Sequence, residues 1–163
     1  MEAVAELAGV GKPTVYRWWP DRHAVAMAAL METPAADAQA KTRRSPINEL
    51  RDQLRAIAAR FATQTGRHVA SMIAAADSAS ELSKAFRNHF VLARRAEGKL
   101  LLERAVADKI VRADVDLEVA LDMLYGPVFF RLLLGHAPLD ERFMDDVLDE
   151  AMRGMAIRRV RRR

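Results

Sequence analysis

Apolar residues recur along this chain at helical spacing, and no β-branched run between turn signals reads as a strand. Val4, Leu7 and Ala8 mark a first short helix that Gly9 stops, and Pro13 opens a second through Val15 and Trp19. Asp21 then caps a helix carrying Val25, Ala29 and Leu30, which Thr33-Pro34 ends. Asp37 to Ser45 is polar and basic enough for a loop or short helix. Pro46 opens a long amphipathic helix striped by Ile47, Leu50, Leu54, Ile57 and Phe61, with Gly66 expected to close it. Val69, Met72 and Ile73 mark a short helix. From Ser80 to about Lys109, Leu82, Phe86, His89, Phe90 and Ala93 share one face before the stripe rotates to Leu100, Leu101 and Val106.

The last two helices differ from the rest. Asp116 caps a segment to Leu134 that is apolar all round: Leu117, Leu121, Leu124 and Val128 on one side, Met123, Phe130 and Leu134 on another. Such a helix must be covered all round, and a body this small has little room to enclose it. The next helix starts at Asp140, with Leu139 and Met144 placed as a hydrophobic staple. It continues through Phe143, Val147, Leu148, Ala151, Met152 and Met155. Pairing both helices with two-fold mates gives a four-helix bundle, with Leu121, Leu124, Val128, Leu132, Phe143, Val147, Leu148 and Met152 expected at the homodimer interface. A plain intrachain core is the competing reading. Pro127 should kink its helix.

Composition narrows the function classes. The 163 residues hold 51% hydrophobic side chains and no cysteine, which excludes disulfides, thiolate metal sites and Cys nucleophiles. Met1-Glu2-Ala3 lacks the basic start of a signal peptide. The longest apolar runs, Ala24–Met31 and Met123–Phe130, fall short of the ~20 residues that span a bilayer. The chain is therefore expected to be all-α, soluble and cytoplasmic, with no membrane partner. Net charge +4 and a pI near 9.8 suit a nucleic-acid binder. Arg158, Arg159, Arg161, Arg162 and Arg163 form a basic tail, read either as a solvated helix end or as a non-specific attractor of phosphates.

Enzymatic chemistry finds little footing. Gly9-Val10-Gly11 opens like a dinucleotide fingerprint, but Thr14 stands where it needs glycine and the preceding segment is helical. His23, His68, His89 and His136 have no metal-ligand spacing on one helix face. Capping and solvation account for the acidic clusters around Asp116 and Asp146, and no serine sits in a nucleophile elbow. Neither catalysis nor a cofactor is expected.

A helix, a glycine turn and a second helix rich in phosphate- and base-contacting residues make a helix-turn-helix. Ala8-Gly9-Val10, Thr14-Val15-Tyr16 and Trp19-Pro20-Asp21-Arg22 resemble the DNA-binding signature of TetR-type (tetracycline repressor-like) transcriptional regulators. The stretch Leu124 to Arg131 is similar to the C-terminal domain of a subgroup of that family. Two positions depart from the pattern: Arg22 stands for the usual Lys, and Gly11 for a Ser or Thr cap. Met1 also aligns with the middle of the family's head. The chain is expected to lack the first helix, as a fragment, a misassigned start or a truncated product. Val4, Leu7, Val15 and Trp19 should then lose cover, leaving the head mobile or partly unfolded.

By this resemblance Thr14, Tyr16 and Arg22 bind phosphates, while Lys12, Pro13 and Trp18 approach base edges, with Arg17 on the same helix. The implied architecture is an incomplete head at residues 1–31, a helical-bundle ligand-binding and dimerisation domain at 32–157, and the tail at 158–163. The implied function is a ligand-responsive repressor that binds a palindromic double-stranded DNA operator as a homodimer. Leu54, Phe61, Met72, Phe86, His89, Phe90, Tyr125 and Phe129 are the candidate lining of a pocket for a small apolar or aromatic effector. Each is equally readable as core. The alternative function is a helical small-molecule- or partner-binding module whose DNA recognition has been lost.

Overall fold

The computed structural model describes residues 1–19, 21, 22, 24, 25, 28 and 44–157, together with all their side chains except that of His89. The end of the linking helix, the polar loop after it, the 31/32 domain boundary, His23 and the arginine tail lie outside the described residues.

Two short helices come first, α1 (Glu2–Leu7) and α2 (Lys12–Trp18). The body follows as α3 (Pro46–Ala62), α4 (Gln64–Ala75), α5 (Glu81–Phe86), α6 (Leu92–Ala107), α7 (Leu117–Leu134) and α8 (Glu141–Met155). Among the described residues the one β-pairing is an antiparallel bridge between Val111 and Ala156. It ties the α6–α7 loop to the chain leaving α8, through Arg112 N–H to the Met155 carbonyl at 2.9 Å. No described helix is long and apolar enough to cross a membrane.

Side-chain caps mark the starts of four of the body helices. Thr63, Ser80, Asp116 and Asp140 each accept from backbone N–H groups of the following first turn. At the other end of α7, Gly135 takes the left-handed conformation at φ 60°.

The helix starting at Pro46 ends earlier than glycine punctuation suggests. Thr63 breaks the chain between α3 and α4, and Gly66 sits inside the first turn of α4. A β-carbon at Gly66 would run into the Arg60 carbonyl oxygen and the Phe61 Cα. Gly66 is therefore a close-approach residue that lets α4 fold back onto α3. The rotation of the stripe after Ala93 also has a cause: Arg87–Val91 form a π turn between α5 and α6. Its wider turn shifts the buried face by about one residue. The inward positions become Gly98, Leu102 and Ala105, and Leu100 is left exposed.

The core centres on α3, whose Leu50, Leu54, Ile57, Ala58 and Phe61 are buried against α4, α6, α7 and α8. Leu121, Leu124, Val128 and Leu148 belong to this same core, with Leu124, Val128 and Leu148 at 0% exposure. They are packing residues of one protomer, a correction to their expected place between two. Leu132 and Met152 are partly buried against that core. All-round hydrophobicity could not say which face of α7 its own chain would take. The face left outside carries Val119, Met123, Phe130 and Leu134.

Ion pairs clamp α3 to α8. Arg55 grips Asp145 with two bonds, Nε at 2.8 Å and Nη2 at 2.5 Å, and Arg51 bridges Asp145 at 3.1 Å and Asp149 at 2.6 Å. The Arg55 hydrogen bonds, more than the Arg51 ones, hold the Asp145 carboxyl below its usual range. The stabilisation is therefore complete above the ordinary aspartate pKa of about 3.9 and disappears as pH falls through the lower folded-state value. Asp145→Asn is expected to lower the melting temperature by a few degrees at neutral pH, and the gap to wild type should close in acid. Thermal melts of both proteins across that pH range check this.

Candidate nucleic-acid interface and effector cavity

The turn between α1 and α2 is fixed by backbone chemistry. Gly9 adopts φ 64°, its N–H reaches the Glu6 carbonyl at 3.1 Å, and the Val10 N–H reaches the Ala5 carbonyl at 3.0 Å. These two bonds make a Schellman motif, which needs a residue tolerant of positive φ at the position Gly9 holds. α2 then starts at once, with Pro13 in its first turn where a missing N–H costs nothing.

Only Val15 of α2 is buried, and Ala5 is its buried counterpart on α1. Leu7 is 90% exposed and Val10 is exposed, while Val4 and Trp19 are half-covered. Leu7 lacks cover as expected, whereas Val15 keeps its cover, and the buried apolar contribution of α1 to the head is Ala5. Both helices are formed.

Lys12, Pro13, Thr14, Tyr16, Arg17 and Trp18 all stand exposed on α2, Trp18 at 70%. Large aromatic rings are not left in water by a helix that needs them for its own core. Lys12 Nζ is paired with Glu2 on α1, an exposed pair worth little in water. Arg22 is exposed at the start of the following helical turn, which Asp21 caps through the Ala24 N–H at 2.8 Å. All seven sequence-predicted nucleic-acid residues are thus solvent-exposed.

The candidate pocket residues divide differently. A cavity of about 270 Å³ lies between the π turn with α6 and α7. Phe90, Tyr125 and Phe129 line it, joined by Ile57, Val91 and Gly126. Leu54, Phe61 and Phe86 do not reach the cavity. Phe61 instead forms the hub of an aromatic cluster, edge-on to Phe90 at 5.2 Å and Phe129 at 5.5 Å between ring centroids. Met72 packs against the core away from the cavity. His89 lies in the π turn.

Tyr125 sets the geometry of the inner wall. Its hydroxyl donates to Gln53 Oε1 of α3 at 2.6 Å and lies 3.0 Å from the Arg94 carbonyl of α6. Burial pushes the phenol pKa up, so it remains a donor throughout the working range. The approach depends on Gly98, where a β-carbon would collide with the Tyr125 hydroxyl. Gln53, Gly98 and the arginines of α6 were not legible as site residues, because a polar residue on an amphipathic helix reads as solvated until its neighbours are known.

A second, open groove of about 770 Å³ runs between α7 and α8, with Val119, Met123, Phe143, Val147 and Gly154 on its walls. Arg131 lies over the Phe143 ring, 3.3 Å from its centroid.

Comparison with known proteins decides the family. Residues 44–151, more than half of the chain, match the model of the tetracycline repressor-like C-terminal domain. The chain belongs to the TetR family of transcription regulators. It is 27% identical over 155 residues to the uncharacterized HTH-type transcriptional regulator YdeS of Bacillus subtilis, covering 95% of this chain and 78% of that protein. It is 24% identical to the uncharacterized regulator Rv1556 of Mycobacterium tuberculosis, over 93% of this chain and 75% of the other. The crystal structure of the TetR family transcription regulator SCO0332 superimposes with a TM-score of 0.63 at 28% identity, covering 96% of this chain and 86% of that one. The all-α fold matches on both counts.

Gly98→Ala should separate Tyr125 from Gln53. The expected cost is roughly 1–3 kcal/mol of unfolding free energy from overpacking and a strained buried hydroxyl, read by urea denaturation. A variant as stable as wild type would contradict the close approach.

Proposed function

We propose that this TetR family member is a ligand-responsive repressor that binds a palindromic operator as a homodimer in the cytoplasm. The observation that carries the reading is α2, a helix with one buried residue and six exposed ones suited to phosphates and base edges. Thr14, Tyr16 and Arg22 serve as phosphate contacts, and Lys12, Pro13 and Trp18 face the major groove. To reach a guanine, Lys12 exchanges Glu2 for O6 or N7, a trade between two acceptors that costs little. The domain plan is a head at 1–31, a regulatory and dimerisation body at 32–157 and a basic tail at 158–163. No catalytic role is assigned.

The outer face of α7 supports the dimer. Val119, Met123, Phe130 and Leu134 recur at helical spacing along an exposed stripe, beside the groove lined by Phe143 and Val147 of α8. A two-fold mate laying its own α7 and α8 there completes a four-helix bundle and covers the stripe. The pair Met123→Asp with Phe130→Asp should give a folded species near 18.2 kDa by analytical ultracentrifugation, against twice that mass for wild type. Val128→Asp should instead unfold the protomer, because it buries a charge in the core. A wild-type monomer at micromolar concentration removes the dimer.

DNA recognition is tested by mobility shift against genomic fragments at two salt concentrations. Tyr16→Ala and Arg22→Ala should weaken binding to every sequence, and Arg22→Ala should also flatten its salt dependence. Lys12→Ala should lose about tenfold and relax preference at one base pair per half-site. A protein that binds no fragment at low salt is a ligand- or partner-binding module without DNA recognition.

A further inference from the structure

Glu2 and Lys12 are the first residues of α1 and α2, and the carboxylate of one meets the ammonium of the other. The pair does little for the fold. Lys12 is 53% exposed and Glu2 78%, and an ion pair so open to water contributes little to stability. Ala5 and Val15 carry the buried apolar contact of the two helices instead. Two opposite charges therefore stand together in water at the start of α2, the end of a recognition helix that meets base edges.

An acid is out of place there unless something receives it. Phosphates flank a DNA groove on both sides and repel a carboxylate. Within the major groove the bases offer it two donors, the N4 amino group of cytosine and the N6 amino group of adenine. Lys12 decides between them, because an ammonium needs acceptors. A G·C pair presents its two acceptors, guanine N7 and O6, on one side and its donor, cytosine N4, on the other. In an A·T pair the adenine donor stands between two acceptors, so an ammonium cannot take both. A cation and an anion already in contact match the segregated edge of G·C. As Lys12 turns to guanine, the carboxylate it releases lies beside the partner cytosine.

We propose that Glu2 and Lys12 together read one G·C base pair in each half-site, Lys12 donating to guanine O6 or N7 and Glu2 accepting from the cytosine N4 amino group. The proposal rests on the DNA-binding reading of α2 and adds α1, through Glu2, to the residues that choose sequence.

The test is selection of bound duplexes from a random-sequence DNA pool by the whole protein at low salt. Wild type, Glu2→Ala, Lys12→Ala and the double variant are compared, and circular dichroism checks that each is folded. Wild type should prefer G·C over A·T about tenfold at one pair per half-site. Either single substitution should remove that preference at this pair and at no other, and the double variant should lose no more than Lys12→Ala alone. The proposal is overturned if Glu2→Ala keeps the preference, or if it relaxes a different pair from the one Lys12→Ala relaxes. It is equally overturned if Glu2→Ala tightens binding to every duplex alike, the behaviour of an acid that only repels phosphates, or if the two single losses add in the double variant. All these outcomes leave the repressor reading standing, whereas a wild-type protein that retains no duplex removes that reading and this one together.

Discussion

Burial of the apolar stripe on α3 is the constraint on which the rest of this body depends. Leu50, Leu54, Ile57, Ala58 and Phe61 are each at 5% exposure or less, and α4, α6, α7 and α8 all pack onto this one helix. At about 1.5–3 kcal/mol for each large side chain, the stripe is comparable with the whole net stability of an ordinary domain. The polar side of the same helix is equally engaged. Arg51 and Arg55 hold α8, Glu49 holds α6, and Gln53 meets α6 and the Tyr125 hydroxyl of α7. A helix packed on four sides moves as a unit or not at all. Ile57 is both a core residue and a wall of the cavity beside Tyr125.

The division of α7 into two faces follows from this. Its inner face, Leu121, Leu124 and Val128, is taken by the α3-centred core, and the outer stripe from Val119 to Leu134 is left over. One protomer cannot cover both faces of a helix at the edge of its own bundle. The same arrangement explains the low charge of α7: three of its eighteen residues carry charge, against seven of the fifteen in α8, whose outer side faces water along much of its length. The pattern of side chains on each helix thus records how many of its sides meet another helix.

Much of this was legible in the sequence because it is written in local chemistry. Asp116 and Asp140 announce their helices through the N–H groups they cap, and Gly9 and Pro13 mark a turn that few other residues make. The exposed residues of α2 could be named in advance through the family resemblance, whose motif leaves Val15 as the inward-facing position. What escaped was geometry between distant segments. Gly66 looks like a terminator until Arg60 and Phe61 stand against it, and Gly98 looks incidental until Tyr125 does. The π turn at Arg87–Val91 leaves no compositional trace, yet it redirects the α6 stripe and opens the cavity beside Phe90. Leu54 and Phe61 were readable as cavity wall or as core, and only tertiary packing chose core.

Native-state hydrogen exchange tests the primacy of α3 most directly. Amides of α3 from Leu54 to Phe61 should exchange only through global unfolding and set the slowest class in the protein, while those of α1 and α2 exchange much faster through local opening. Slower exchange in α6 or α7 than in α3, or α3 amides released by a sub-global opening that leaves the other helices protected, would contradict the account.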